Sequence, residues 1–529
     1  MQEIETNSRT TPLVAVKFTT VETPTHLLGW LPYLWINVLF AGRPTPSTSK
    51  TAWPLIQIFL LSGILLYPCV SFPLFEPDEG RYAQIPREML TACEWIVPTL
   101  HGEAYLDKPP LFYWLVMLSY ALFGYHDGAA RLIPALAMHA SVLLTYLLGR
   151  RIVGERSAFW GALLLTVSPL FMSVGRLLVL DGLLTLWVTL ALLTAYVAQA
   201  DKRLTLGWWC VAALACGLGV LTKGPVTLVL VLPPLWTHRR LVAAAAISWR
   251  AWLGLYVIVL MVNLPWYAAV CWRQPEFIRY FLWQHNVERF VEPFDHVRPV
   301  WFYGPIMLFG LLPTLFLAWP LQRFLCSTNA AETNARCPAM GYLLLAGLWC
   351  VFFFSLAGSK LPTYILPAFP PLCLALGCFV ARTDWQRSRW FIGLVAGCWL
   401  LLATAHYIAL PIHAHRVSPA SRLEEVAKQC GDPNVPVVCF PRNVDSLAFY
   451  LGRSDFRTYR SKQLAELLRA LDRQPRTVIL FGHRSSPETL KHHLPPHLRM
   501  VERQQLGLCE MAVIERIDGH FWKASNMPR

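Results

Sequence analysis

Directly after an apolar run long enough to cross a bilayer, Trp53 to Val70, the chain reads Glu76-Pro77-Asp78-Glu79-Gly80-Arg81-Tyr82, and further on Tyr105-Leu106-Asp107-Lys108-Pro109-Pro110. Carboxylates interleaved with basic side chains at a membrane surface suit one kind of chemistry. Arg and Lys neutralise a phosphate, while a carboxylate takes the proton of an attacking hydroxyl. Tyr, Trp and Pro between the charges, rather than Ser and Gly, are the composition of a folded site. More unusual charges follow: Asp181 after Gly175-Arg176, Lys223 in Leu221-Thr222-Lys223-Gly224-Pro225, His285, Asn286 and Arg289, and Lys360 and Tyr364 in Gly358-Ser359-Lys360-Leu361-Pro362-Thr363-Tyr364. Each has a plainer reading. The lysines snorkel to headgroups, Asp181 caps a helix, and His285 alone is structural. Charges beside apolar spans persist when paired or functional, and their convergence on one side of the membrane favours a site.

That convergence follows from the elements that carry them. Of 529 residues, 55% are hydrophobic and 15% charged, against about 25% charged in globular chains. Apolar runs of roughly 15 to 23 residues recur, near the ~20 needed to span the hydrocarbon core. The class is a polytopic α-helical membrane protein with about eleven spans, near 53–71, 131–149, 157–174, 182–199, 207–222, 225–236, 250–271, 302–322, 341–357, 362–381 and 390–411. Basic clusters occupy alternate loops: Arg150, Arg151 and Arg156; Lys202 and Arg203; Arg239, Arg240 and Arg250; Arg323 and Arg336; Arg382, Arg387 and Arg389. The positive-inside rule places these in the cytoplasm. The other set of loops then faces out, including the first outer loop 72–130, the loop 272–301 and everything after 411, and every candidate group falls on that side.

The net charge of +14 lies mostly in those short loops, and no aromatic ladder accompanies it, so nucleic acid is excluded as a partner. The 14 cysteines are scattered, many inside apolar runs, and form no CxxC pair, which argues against a cysteine metal or redox site. Residues 1–52 read as a cytoplasmic or interfacial extension, with Pro32 inside the marginal apolar run Leu27 to Ala41. From 412 to 529 the composition is that of a soluble domain. Strands are expected at Val435–Phe440, Arg476–Phe481, Met500–Gln504 and Cys509–Glu515, and helices at Ser421–Lys428, Asp445–Leu451, Lys462–Leu471 and Pro487–His493. This is a small α/β domain on the outer face.

The combination Asp78-Glu79-Gly80-Arg81-Tyr82-Ala83, Arg87-Glu88-Met89-Leu90, Trp95-Ile96-Val97-Pro98 and Tyr105-Leu106-Asp107-Lys108-Pro109-Pro110 resembles the polyprenyl-phosphate-sugar-dependent glycosyltransferases of the GT-C fold. The similarity runs over roughly residues 53–411. It points to the branch with the bacterial 4-amino-4-deoxy-L-arabinose:lipid A transferases and, more distantly, the protein O-mannosyltransferases. The resemblance implies inverting transfer from a polyprenyl-phosphate-linked sugar donor to a lipid A-like, glycan or protein acceptor, by a monomer among inner-membrane lipids. It implies Asp78 as catalytic carboxylate, with Asp181 and Asp107 beside it. Arg81, Tyr82, Lys108, Lys223, His285, Arg289, Lys360 and Tyr364 become the substrate-binding groups. A divalent metal ion is an expectation from some relatives, with Asp78, Glu79, Glu88 and Asp107 as candidate ligands. Where the aminoarabinose branch has Tyr-Phe-Glu-Lys-Pro, this chain has Tyr105-Leu106-Asp107-Lys108-Pro109, one methylene shorter at the acid. A transporter or flippase of a lipid-linked substrate is the alternative, but the chain shows neither internal repeats nor charges at mid-span.

Overall fold

The computed structural model describes residues 52–67, 72–200, 203–241, 247–288, 296–482 and 485–517. Residues 1–51 of the expected N-terminal extension, and Arg289, lie outside them. Helix α1 (Ala52–Leu66) leads into α2 (Asp78–Thr91), the hairpin β1 (Thr99–Leu100) and β2 (Glu103–Ala104), and α3 (Leu111–Phe123). The helical body continues with α4 (Asp127–Val153), α5 (Glu155–Thr166), α6 (Pro169–Val174), α7 (Asp181–Ala198), α8 (Leu206–Lys223), α9 (Val226–Leu241) and α10 (Trp249–Arg273). It closes with α11 (Tyr303–Gly310), α12 (Ala318–Cys326), α13 (Ala330–Ala335), α14 (Pro338–Leu356), α15 (Phe369–Ala381), α16 (Arg389–Thr404) and α17 (Leu410–Val417).

Seven helical runs among the described residues are long and apolar enough to span a membrane: Asp127–Val153, Asp181–Ala198, Leu206–Lys223, Trp249–Arg273, Ala339–Leu356, Pro362–Ala381 and Arg389–Val417. The stretch expected as one span at 302–322 is two helices bent by 105°, which would make an eighth span if counted as one. That expected at 157–174 is interrupted where Pro169 starts α6, since a proline ring cannot follow helical backbone in its predecessor.

Burial sorts the spans. Pro362–Ala381 is 89% enclosed by protein, whereas only 22% of Arg389–Val417 is, so the first is central and the second faces lipid. The central helix approaches α5 backbone to backbone. A Cβ on Gly377 would sit 2.3 Å from the Ser157 carbonyl oxygen and 2.4 Å from Gly161 N. Small residues permit such close crossings where no hydrophobic effect drives helices together.

The C-terminal region forms a five-stranded sheet, in the order β4 (Arg457–Thr458), β3 (Val437–Phe440), β5 (Arg476–Phe481), β7 (Cys509–Arg516), β6 (Leu498–Leu506). Strands β4, β3 and β5 are parallel, while β7 and β6 are antiparallel additions. Helices α18 (Leu423–Cys430) and α19 (Asp445–Leu451) cover one face, with Val426 and Leu447 in a core with Val437 and Val478. Helices α20 (Leu464–Asp472) and α21 (Pro487–Lys491) cover the other through Leu467, Leu471 and Leu490. Burial on both faces accounts for the wholly apolar Val-Val-Cys-Phe of β3, as parallel strands require. This sheet is not a separate body. Phe449 of α19 lies in one apolar cluster with Leu74, Ala83, Phe112, Tyr113, Ala129 and Leu178 from the helical region.

Gly377→Ala is expected to destabilise the protein by about 1–3 kcal/mol, the usual cost of overpacking. Gly393→Ala, where nothing lies within 4 Å of the added carbon, is expected to leave the melting temperature in detergent unchanged.

Candidate active site

Two adjacent carboxylates at the start of α2 receive opposite treatment. Glu79 turns inward onto Arg131, whose Nε donates to Oε1 at 2.8 Å and whose Nη2 donates to Oε2 at 2.7 Å. Backbone N–H groups of Phe75 and Leu178 donate to the same carboxylate at 2.9 and 2.7 Å. Arg131 is 0% exposed and also donates to the carbonyls of Phe72 (2.5 Å) and Pro73 (3.2 Å). Asp78 faces outward instead, its side chain 51% exposed, with no hydrogen bond to a described residue. Its nearest ionic neighbour is Arg81, 3.7 Å away on the next helical turn.

Arg81 is the second open group. It lies 3.8 Å from Asp445 of α19 and makes no hydrogen bond to a described residue. Tyr82 follows it, with its ring 6.1 Å from Phe112 and 6.5 Å from Tyr113. Burial, reinforced by Tyr105 and Asp78, holds the Tyr82 hydroxyl far above the usual phenol range, so it remains a hydrogen-bond donor. Leu180 and Leu183, at the start of α7, lie in the apolar cluster against which Tyr82 packs.

Other segments approach this centre. The α7 and α8 ends meet where Lys223 pairs with Asp181, and the Lys223 ammonium lies 4.2 Å from the centre of the Tyr364 ring. Asp107 accepts a 2.6 Å hydrogen bond from Tyr280, joining the loop before α3 to the segment after α10. Trp266 and Arg273 of α10 hold the same loop, through the Ile96 carbonyl (2.9 Å) and Glu94 (2.6 Å). Lys108 is half-buried beside Asp107. His285 lies in a π-helix, Arg279–Glu288, but its side chain, like Arg289, lies outside the described residues.

Three expected groups are placed for other duties. Lys360 is 3% exposed and donates to the carbonyls of Ala357 and Arg298, capping the end of α14. Glu88 accepts from Gln84 Nε2 (2.7 Å) and from the backbone N–H groups of His101 and Gly102 (2.8 and 3.2 Å). With Glu79 held by Arg131, only Asp78 and Asp107 remain of the proposed metal ligands, and no three His, Cys, Asp or Glu side chains among the described residues cluster closely enough to hold an ion.

Four participants had not been singled out: Arg131, Glu76, His101 and Asp445. Arg131 had a legible signal, as a cation at the mouth of an apolar span. Asp445 had none, because it reaches the site only through the tertiary fold. Asp445 is 0% exposed, accepts from His101 Nε2 at 2.8 Å, and faces Glu76, whose Oε1 accepts from Ser446 N at 2.6 Å. Gly80 makes this docking possible, since a Cβ there would stand 2.4 Å from Ser446 N. Burial, and then the neighbouring Asp445, push the Glu76 carboxyl up to about 8.

With this geometry described, comparison with known proteins becomes informative. The chain is 34% identical over 385 residues to the undecaprenyl phosphate-α-4-amino-4-deoxy-L-arabinose arabinosyl transferase of Pseudomonas savastanoi pv. phaseolicola, covering 68% of this chain and 69% of that one. The chain belongs to this family. Transferase 1 of the same description from Pseudomonas fluorescens (strain Pf0-1) is 35% identical over 377 residues, 69% of this chain and 64% of the relative, so the match spans a little under two thirds of that relative's length. Residues 107–268 match the family model for dolichyl-phosphate-mannose-protein mannosyltransferase. Among solved structures, ArnT from Cupriavidus metallidurans bound to undecaprenyl phosphate superposes with a TM-score of 0.71 at 20% identity, covering 88% of this chain and 98% of that one. The two share a fold.

Two predictions follow from the carboxylates. Arg131→Met leaves Glu79 as an uncompensated buried charge and is expected to cost about 3–5 kcal/mol, whereas Asp78→Asn leaves thermal unfolding unchanged. Because the folded chain raises the Glu76 pKa to about 8 from 4.5, the fold binds a proton that the unfolded chain has lost. That contribution is complete below about 4.5 and disappears as pH rises through about 8. The melting temperature is therefore expected to fall between pH 6 and 9, and Glu76→Gln, neutral throughout, to flatten the decline.

Proposed function

We propose that the protein is an inverting glycosyltransferase of the inner membrane, moving a sugar from a polyprenyl-phosphate donor to an acceptor hydroxyl at the outer face. One observation carries this reading. Asp78, 51% exposed, and Arg81, 27% exposed, stand one turn apart on α2 with no hydrogen bond to a described residue, while neighbouring Glu79, Glu88 and Arg131 are held by several. A base and an anion-binding cation thus stand together, linked only by long ion pairs.

The family supports undecaprenyl phosphate-linked 4-amino-4-deoxy-L-arabinose as donor, and a lipid A-like headgroup is the acceptor we favour. The acceptor oxygen attacks the anomeric carbon from the face opposite the phosphate. Its proton passes to Asp78 as the carbon–oxygen bond to phosphate breaks, and the configuration inverts. Arg81 and Lys108 neutralise the charge that grows on the departing polyprenyl phosphate. The Tyr82 hydroxyl donates to the sugar or phosphate oxygens, while the Asp181–Lys223 pair beneath Tyr364 fixes the opposite wall. Basic loops on the other side of the spans support an extracytoplasmic site and an outer C-terminal sheet.

Purified protein in detergent, incubated with a membrane lipid extract, is expected to release polyprenyl monophosphate and add a pentose-like mass to an acceptor, as read by mass spectrometry. Asp78→Asn is expected to lower kcat by about 10²–10⁴ without loss of folding. Lys108→Ala is expected to raise donor KM about tenfold. Unchanged turnover in Asp78→Asn would remove Asp78 from the mechanism.

A further inference from the structure

Outside the carboxylate centre, a cavity of about 1340 Å³ lies between the hairpin Leu100–Tyr105 and the β4 edge of the C-terminal sheet. Its lining is strongly polar. Arg457 and Arg460 project from the β4 segment, and Arg469 and Arg473, one helical turn apart, from the end of α20. All four are exposed, and none forms an ion pair with a described residue. A helix C-terminus favours Arg469 and Arg473 through its dipole but does not neutralise them. The acidic groups on the wall are Glu103, Asp455 and Glu466. Asp455 is taken by Arg453, with a 2.8 Å bond from Nε, and Glu466 accepts from Gln463 at 3.2 Å. With Asp455 paired to Arg453, the four arginines still outnumber Glu103 and Glu466, so the cavity keeps an excess of positive charge.

Two hydroxyls on the same wall point to a ligand independently. Thr477, 2% exposed, and Thr458 each bury an Oγ1 with no hydrogen-bond partner. Buried polar atoms are rarely left unbonded, and here they stand beside a space large enough for a sugar. Strand β4 adds a free edge, since it pairs with β3 on one side and ends the sheet on the other. The cavity also touches the chemistry. His101 lines it and donates to Asp445, which faces Arg81, and the hairpin runs directly into Tyr105, Asp107 and Lys108.

Resting on the glycosyltransferase reading, we propose that this cavity binds the phosphorylated, hydroxyl-rich headgroup of the sugar acceptor. Planar guanidinium forks match phosphate oxygens in pairs, Thr458, Thr477 and the β4 edge meet sugar hydroxyls, and the hairpin presents the bound headgroup to Asp78. The C-terminal sheet thereby selects the acceptor.

The test uses the full-length protein in neutral-lipid nanodiscs and three probes: the de-acylated phosphorylated headgroup of lipid A, the same headgroup after phosphatase treatment, and inorganic phosphate. Calorimetry is expected to show binding of the first, weakened about tenfold or more for the second and third, and weakened likewise in R457Q/R460Q and R469Q/R473Q. In the transfer assay both variants are expected to raise acceptor KM by a similar factor, leaving donor KM and kcat at saturating acceptor unchanged. Melting temperatures equal to the parent show that the variants fold. Headgroup binding and acceptor KM that ignore the substitutions overturn the proposal, and so does inorganic phosphate binding as tightly as the headgroup. If arginine-dependent headgroup binding persists while no acceptor is ever glycosylated, the transferase reading fails and the cavity assignment stands as a glycan site.

Discussion

The buried pair Glu79–Arg131 is the constraint on which the site depends. Successive residues of a helix point about 100° apart, so with Glu79 turned into the protein its predecessor, Asp78, can face outward. The pair does more than orient. Arg131 belongs to α4 and also donates to the carbonyls of Phe72 and Pro73, while Glu79 accepts from Leu178 just before α7. Four segments thus meet at one carboxylate. Buried ion pairs are poor sources of net stability, yet losing one partner is costly. That asymmetry suits a junction whose purpose is a single geometry.

A second junction ties the C-terminal sheet to the same helix. Gly80 lets Ser446 N approach the α2 backbone, Tyr450 donates to Asp127 at 2.6 Å, and Ser418 donates to the Leu74 carbonyl at 2.7 Å. These bonds lie on both sides of Asp78 in sequence, so α2 is clamped between the helical region and the sheet. The Glu76–Asp445 contact is the expensive part, because two carboxyls in one enclosure repel unless one keeps its proton. Asp445 also has His101 and Arg81 to face, which leaves Glu76 as the member that holds it.

Much of this was legible in the chain. The α/β character of residues 423–516 followed from alternating apolar runs, and three of the four expected strands overlap the observed ones almost residue for residue, because a sheet buried on both faces imposes a strong pattern. The meeting of Asp181, Lys223 and Tyr364 was expected from their shared side of the membrane. The different fates of Asp78 and Glu79 were not legible, since two neighbouring acids look alike until one finds Arg131. Lys360 was misleading for a similar reason. A lysine in a polar break between spans reads as a ligand, yet the nearest unsatisfied groups are the carbonyls at the end of α14, which need a donor whether or not a substrate is present. Asp445 and the arginines of the sheet edge were invisible in a different way, because their roles arise from contacts between regions far apart in sequence.

The charges at the site divide by how tightly they are held, and that division argues for their roles. Lys223 with Asp181, Arg131 with Glu79, and Lys360 with its carbonyls make close contacts, so recruiting any of them to a substrate would first require breaking a strong bond. Arg81 stands 3.7 and 3.8 Å from its two carboxylates, close enough to be oriented by their field and too far to be satisfied by it. An arriving phosphate can therefore take short, charge-assisted hydrogen bonds from Arg81 without displacing any that the protein already makes. As that phosphate engages Arg81, the hold of the guanidinium on Asp78 weakens, leaving a freer carboxylate to accept a proton. In the mechanism we propose, donor binding and base activation are coupled through one guanidinium by the long ion pairs around it.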